Sequence, residues 1–499
     1  MSEVATLYNR VTHQRVFIWL VTFLGIASAP VLGYFTCTLG WQMDIIIAGL
    51  IVVAGWAFVA RDRWWVPFPA ALSLGGTFYF GFKIPVHEMA LLICLFPLAL
   101  ALATRWQGAI PGRGNPPPSV FFLAFYLVLH WVGSLLYNQM NGLGGVGNVT
   151  RSYMDAFWPM ILFFTYYFFG NSKYIRTAFF LMYCALCFRT LFVLGSYFFP
   201  GFVYIPGINY VPAGTSVDGS GIGDLRTACP ALAGITLCYL CIQKGFFIRT
   251  VNFIVLLLCF VLVFMSGGRL GTLSLYLMPI YWACLTRKYL LIILLVVSFG
   301  SGFLLLNSNP EIINYFPDGV QRSLSGFLLK KNMVQINETT GASDEWHAEL
   351  QKAGFQQWTK SMATFFFGNG IRPFSKELFE STDMQDMLKT AIATGRFESA
   401  LWTILSSLGL IGMLLYLNVF RFLLADSLPL LWKQGICDYQ TAFAFITSYG
   451  IFLFIILGNF AGYYPSIEIM MGLFAKTLHD DQKRQERDKI ASSVPIATS

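Results

Sequence analysis

A small set of ionisable residues stands out for where it lies. Arg189 sits inside the apolar run TAFFLMYCALCFRTLFVLGSYFF, Arg226 follows the loop DGSGIGDL, Arg269 closes the turn FMSGGR, and Glu398 opens the apolar run ESALWTILSSLGLIGMLLYL. Arg151 and Arg396 share the same expected level, while Arg372 in FGNGIRP and His347 belong to a long polar segment. A guanidinium grips phosphate through two parallel donors and stays charged at any physiological pH. Arginines gathered at one headgroup level therefore suit an anionic ligand whose remainder is lipid. The Ser-Gly-Gly-Arg turn allows close backbone approach, and a helix begins directly after it. Each residue also has a plainer reading. Arg189 can snorkel, Arg226 and Arg269 can touch lipid phosphate, and Glu398 can be a first-turn acid favoured by the helix dipole. Arg372 can be an idle loop cation and His347 a solvated surface histidine. His130, in YLVLHWVGSLL, reads as a packed intramembrane residue of the kind that is functional often enough to note.

The elements that must position these residues are set by composition. The chain has 499 residues, of which 56% are hydrophobic and 12% charged, and its mean hydropathy is +0.62. Soluble domains carry about 25% charged residues, so a soluble multidomain enzyme is excluded, as are disordered, collagenous and disulfide-stapled secreted chains. The expected fold is an all-α polytopic integral membrane protein. On the rule that a span needs about 20 apolar residues, candidates fall at 16–36, 44–60, 64–82, 88–104, 119–137, 155–170, 177–198, 228–243, 250–267, 270–286, 289–306, 398–420, 439–459 and 464–477, about 14 helices with 12 or 13 as alternatives. With the N-terminus inside, the cytoplasmic segments and tail hold nineteen Lys and Arg and the short external loops hold four. That bias places both termini in the cytoplasm and explains the net charge of +8 without nucleic acid. The start of the chain reads as a cytoplasmic tail leading into the first span, and the basic stretch HDDQKRQERDK as solvated or facing lipid headgroups.

The chain then divides into 1–306, helices 1 to 11; 307–397, a large external loop; 398–477, helices 12 to 14; and 478–499, a basic cytoplasmic tail. The loop carries its own helical signals. Ser343 reads as an N-cap before Asp344 and Glu345, with Trp346, Leu350 and Trp358 at helical spacing, and Thr382-x-x-Gln385 fits a capping box ahead of an apolar face ended by Gly395. Most cysteines fall in apolar runs and read as packing residues, the Cys238-x-x-Cys241 pair included. No spacing of His, Asp or Cys suits a metal, and no nucleotide or nucleophile-elbow motif is present.

DLRTACPALAGITLCYL, VFMSGGRLGTLSLYL and GNGIRPF followed by RFESALWTILSSLGLIGMLLYL resemble, in that order, motifs of the O-antigen polymerase and ligase superfamily of bacterial inner-membrane glycosyltransferases. The resemblance covers roughly residues 220 to 420. It implies a GT-C-like fold, a periplasmic active site, and an inverting, cofactor- and metal-free transfer of glycan from undecaprenyl pyrophosphate. The implied partners are the lipid-linked oligosaccharide, membrane lipid and a chain-length regulator protein. Arg226 and Arg269 take the pyrophosphate by motif position, with Arg189, Arg151 and Arg396 as further candidates. Where ligases have a histidine, this chain reads Arg-Phe-Glu-Ser. That departure favours repeat-unit polymerisation over ligation to lipid A core and leaves the base open between Glu398 and none. The alternative from another class is a transporter of an anionic solute or glycolipid.

Overall fold

The computed structural model describes residues 63, 65–79, 83–86, 88–89, 115–141, 146–169, 172–199, 209–211, 222–329, 338–370, 388–389, 391–392, 397–459 and 466–493. The expected spans 16–36, 44–60 and almost all of 88–104 lie outside the described residues. The described elements are α1 (Pro67–Leu74), β1 (Thr77–Tyr79), β2 (Lys83–Pro85), α2 (Pro118–Met140), α3 (Val146–Phe169), α4 (Ile175–Phe198), β3 (Asn209–Val211), α5 (Leu225–Ile242), α6 (Phe246–Met265), α7 (Arg269–Leu285), α8 (Tyr289–Ser308), α9 (Asp318–Ser325), α10 (Glu338–Trp358), α11 (Met362–Phe367), α12 (Ala400–Gln434), α13 (Tyr439–Leu457) and α14 (Ser466–Ser493). Among the described residues, seven helices are long and apolar enough to cross a membrane: α2, α4, α5 with the short turn before it, α6, α8, α12 and α13.

Burial separates inner from outer helices. α8 buries none of its side chains, and α6 leaves Phe246, Phe247 and Phe253 exposed. Faces this apolar need lipid rather than water. α5 and α13 are interior, and small residues let their neighbours close in. The Tyr449 hydroxyl of α13 donates to the Ser274 carbonyl of α7, and Trp65 packs edge-on against Tyr166 and Phe474, at 5.1 and 4.9 Å between ring centres.

Several expectations change. Residues 64–82 are not one helix: α1 stops at Leu74, and Gly75 and Gly76 take φ of +58° and +76°, a left-handed turn that glycine adopts without penalty. The chain continues as β1, which pairs antiparallel with β2 and with β3, Phe78 opposite both Ile84 and Tyr210. The described residues are thus helical with one small three-stranded sheet among them. Ser343 lies inside α10, which begins at Glu338. Most of the segment expected to form the Thr382 helix lies outside the described residues, though residues 388–389 and 391–392 are helical. The short span expected at 464–477 and the polar tail are one continuous helix, α14, along which Lys476 bridges Asp426 of α12 and Asp480.

The other departure concerns α12. It is broken at Gly409 (φ +70°, ψ −172°), and the tip of the polar segment fills the break. The Asn369 amide donates to the Ser406 carbonyl at 2.7 Å and the Gly370 amide to the Ser407 carbonyl at 3.0 Å. Carbonyls freed inside an apolar region must find donors, and the Gly-Asn-Gly stretch supplies them.

Candidate functional site

The site is assembled where helix starts meet. Arg226 is the second residue of α5 and Arg269 the first of α7. A Cβ at Gly268 would strike the Arg226 side chain, and one at Gly271 would lie 2.5 Å from the Arg226 carbonyl oxygen. The two helices abut only because those positions carry no side chain. The positive ends of two helix dipoles therefore meet in one place, each beside an arginine. The Arg226 Nε donates to the Gly223 carbonyl at 2.8 Å, which holds the exposed side chain over the turn preceding α5.

The polar segment adds a third cation. α9 packs on the Met265–Arg269 turn: Ser323 donates to the Phe264 carbonyl at 3.0 Å, and Gly319 has backbone of Met265 where a side chain would be. A Cβ at Gly267 would lie 3.2 Å from Arg322 Cδ, and one at Gly326 would lie 2.9 Å from Arg269 Cδ. Arg226, Arg269 and Arg322 thus gather around one Ser-Gly-Gly-Arg turn. Arg322 reads in sequence only as one of many loop cations, since nothing in its neighbourhood signals that α9 folds back.

Arg189 has a different place. Its Nε donates to Asp224 Oδ2 at 2.6 Å and its Nη2 to Oδ1, while Nη1 reaches the Ser73 carbonyl and Nη2 the Thr227 hydroxyl, each at 3.2 Å. Asp224 is 1% exposed and Arg189 8%. The expectation of Arg189 as a phosphate ligand is therefore corrected: its fork is filled by a buried carboxylate. The same contacts explain the break after α1, because a Cβ at Gly75 would lie 3.0 Å from Arg189 Nη1. Asp224 immediately precedes α5, so the pair fixes the backbone two residues before Arg226.

Glu398 faces the large segment. It has φ of +53°, a conformation that costs a non-glycine residue on the order of 1–3 kcal/mol and is held only by surrounding structure. The holders are visible. The Phe397 amide donates to Thr403 Oγ1, the Ser399 hydroxyl and Leu401 amide donate to the Gly458 carbonyl, and Asn459 donates to the Glu398 carbonyl. Phe397 is buried with Leu350 and Ala353 of α10, and Gly354 lets α10 close in, since a Cβ there would lie 2.9 Å from Trp402 Cβ. This docking brings His347 Nδ1 to 3.1 Å from Glu398 Oε2, both side chains about half exposed. The His347 hydrogen bond, with that of Trp346 and the charge of Arg226, holds the Glu398 carboxyl below the ordinary glutamate range against the opposing effect of burial. Arg226 thus acts on the same carboxylate that His347 touches.

The remaining sequence candidates fall outside the described side chains. Arg151 lies on α3, where only its backbone is described, and Arg372 and Arg396 lie outside the described residues. No protein-family model matches the chain, and no curated protein matches it either.

Proposed function

We propose that the chain is a polysaccharide repeat-unit polymerase of a bacterial inner membrane, with a GT-C-like fold of about fourteen spans and both termini in the cytoplasm. The observation that carries the reading is the gathering of Arg226, Arg269 and Arg322 at two adjoining helix starts, with a histidine–carboxylate pair held in the electrostatic reach of Arg226. The pyrophosphate of a polyprenyl-linked glycan seats on the three arginines and the N–H groups of α5 and α7. An acceptor sugar hydroxyl attacks the anomeric carbon from the opposite face, and the bond from that carbon to the phosphate oxygen breaks with inversion. The His347 imidazole takes the hydroxyl proton. Glu398, ionised, orients the ring and stabilises its cationic form, and the arginines hold the charge left on the departing pyrophosphate. Undecaprenyl-linked oligosaccharide is then both donor and acceptor, and a chain-length regulator protein is the further partner.

Two other readings have an observation behind them. His347 supplies in space the imidazole that the sequence lacks at position 398, which keeps ligation to lipid A core in view. The break at Gly409 gives α12 the discontinuity common in transporters, although the described arginine cluster lies elsewhere. Purified chain mixed with lipid-linked repeat units and run on a gel separates the three. A ladder supports polymerisation, one product appearing only with lipid A core supports ligation, and unaltered substrate points to transport.

A further inference from the structure

A second site lies away from the arginines. On α2, Tyr126, His130, Ser134 and Asn138 recur every four residues and form one polar stripe about 18 Å long at 1.5 Å per residue. Facing it is the Gly368-Asn369-Gly370 tip that plugs the break in α12. Between them is a cavity of about 560 Å³, walled on its apolar side by Leu129, Phe367 and Ile411. The stripe is ordered by hydrogen bonds. The Phe367 carbonyl, 2.7 Å from His130 Nε2, can only accept, so Nε2 carries the proton. Nδ1 then accepts from the Tyr153 hydroxyl at 2.6 Å, and the Ser134 hydroxyl donates to the Tyr153 oxygen at 2.8 Å. Tyr126 donates to the Leu408 carbonyl at 2.7 Å, just before the break. A Cβ at Gly370 would come within 2.7 Å of Ser134 Oγ, so the tip sits directly on this network.

Asn138 is the exception. It lines the cavity, is 3% exposed, and neither its Nδ2 nor its Oδ1 has a partner among the described residues. A buried amide left unpaired costs about 1–3 kcal/mol per unsatisfied group, so a group that pairs with Asn138 is favoured there. A single group that serves both atoms accepts from Nδ2 and donates to Oδ1, as a hydroxyl does and a phosphate diester by itself does not. No Lys, Arg, Asp or Glu is among the described lining residues. Leu129, which lines the cavity, is more than half exposed, as are Phe121, Phe122, Phe125 and Leu136 elsewhere on α2, so α2 presents a lipid-facing surface beside it.

We propose that this cavity binds an uncharged, hydroxyl-bearing amphiphile that enters from the membrane, its head group on Asn138 and its chain along Leu129 and Ile411. Because the Gly368–Gly370 tip forms the opposite wall, occupancy would steady the segment that also carries α10 and His347. The inference stands on the cavity and not on the catalytic reading. The test is retention of lipid by the full chain in native mass spectrometry, after release from nanodiscs containing monoglucosyl diacylglycerol and phosphatidylmethanol, an anionic diester without a hydroxyl, with identical acyl chains. The expected result is one retained glucosyl lipid, favoured about tenfold over phosphatidylmethanol, with Asn138→Leu and Leu129→Trp each weakening retention about tenfold and Arg226→Ala leaving it unchanged. Leu129→Trp fills the cavity from an exposed position and decides the matter if Asn138→Leu does not fold. Preference for phosphatidylmethanol, retention of neither lipid, or equal retention by the wild-type chain and Leu129→Trp would overturn the proposal.

Discussion

At the scale of single residues, the site depends on groups held in unfavourable states by their neighbours. Glu398 keeps a left-handed backbone that glycine would adopt freely. Glu398→Gly is therefore expected to leave thermal stability unchanged or raise it by up to about 1 kcal/mol, while product formation in the repeat-unit assay falls at least about tenfold. A more stable variant with full activity would remove Glu398 from the proposed machinery. The pH dependence has a definite sign. A carboxyl whose folded pKa is depressed by His347 and Arg226 contributes stability at neutral pH and loses it as pH falls through that lowered value. The contact between α10 and the start of α12 should thus persist at pH 5 and weaken only below the ordinary glutamate value of about 4.3, as read from Trp346 fluorescence, with the acid transition absent in Glu398→Gln. Arg189 belongs to another class. Removing it leaves a buried Asp224 without its partner, so Arg189→Ala should destabilise by about 3–5 kcal/mol, and adding Asp224→Asn should recover much of the loss in a melting experiment.

At the scale of elements, function rests on how closely helix starts approach. α5 and α7 meet through Gly268 and Gly271, and α9 meets the turn from α6 into α7 through Gly319 and Gly326. Gly271→Ala places a methyl 2.5 Å from the Arg226 carbonyl oxygen. Such overpacking costs about 1–3 kcal/mol and moves two phosphate-binding ends apart, so polymer yield should fall by more than the drop in protein level. Arg322→Ala tests the third cation. Losing one preorganised charge of this kind costs about 100-fold in rate, and the variant's ladder should collapse to short products at unchanged melting temperature. Normal ladder length would limit the anion site to Arg226 and Arg269.

At the scale of the whole molecule, the arrangement separates two environments. α8 and the outer face of α6 are apolar and unburied, whereas α9 packs on α6 and α7 at the end that carries Arg226 and Arg269, and α10 and α11 pack on α12, which Glu398 precedes. On the proposed topology that end is periplasmic and α14 points its charged half into the cytoplasm. Cysteines placed at Lys360 and Lys483 should then react with a membrane-impermeant maleimide from opposite sides of sealed cells and inverted vesicles. Labelling of both from the same side would invalidate the sidedness on which the lipid-linked donor depends.

Composition and hydropathy by themselves determined the class of molecule, because a chain with 12% charged residues has no other solvent than lipid for its surface. The seven apolar helices between residues 118 and 457 were legible for the same reason, and so was the placement of Arg226, Arg269 and Glu398 at the ends of apolar runs, since a charge beside such a run is conspicuous. What the sequence could not carry is which charges meet. Asp224 looked like a loop residue and became the buried partner of Arg189; Arg322 looked like one loop cation of nine and joined the arginine cluster; His347 looked solvated and docked on Glu398. Pairings of this kind join residues from 35 to almost a hundred positions apart, and local periodicity has no information at that range. They are fixed by glycines at helix contacts, whose effect exists only once the helices lie against one another.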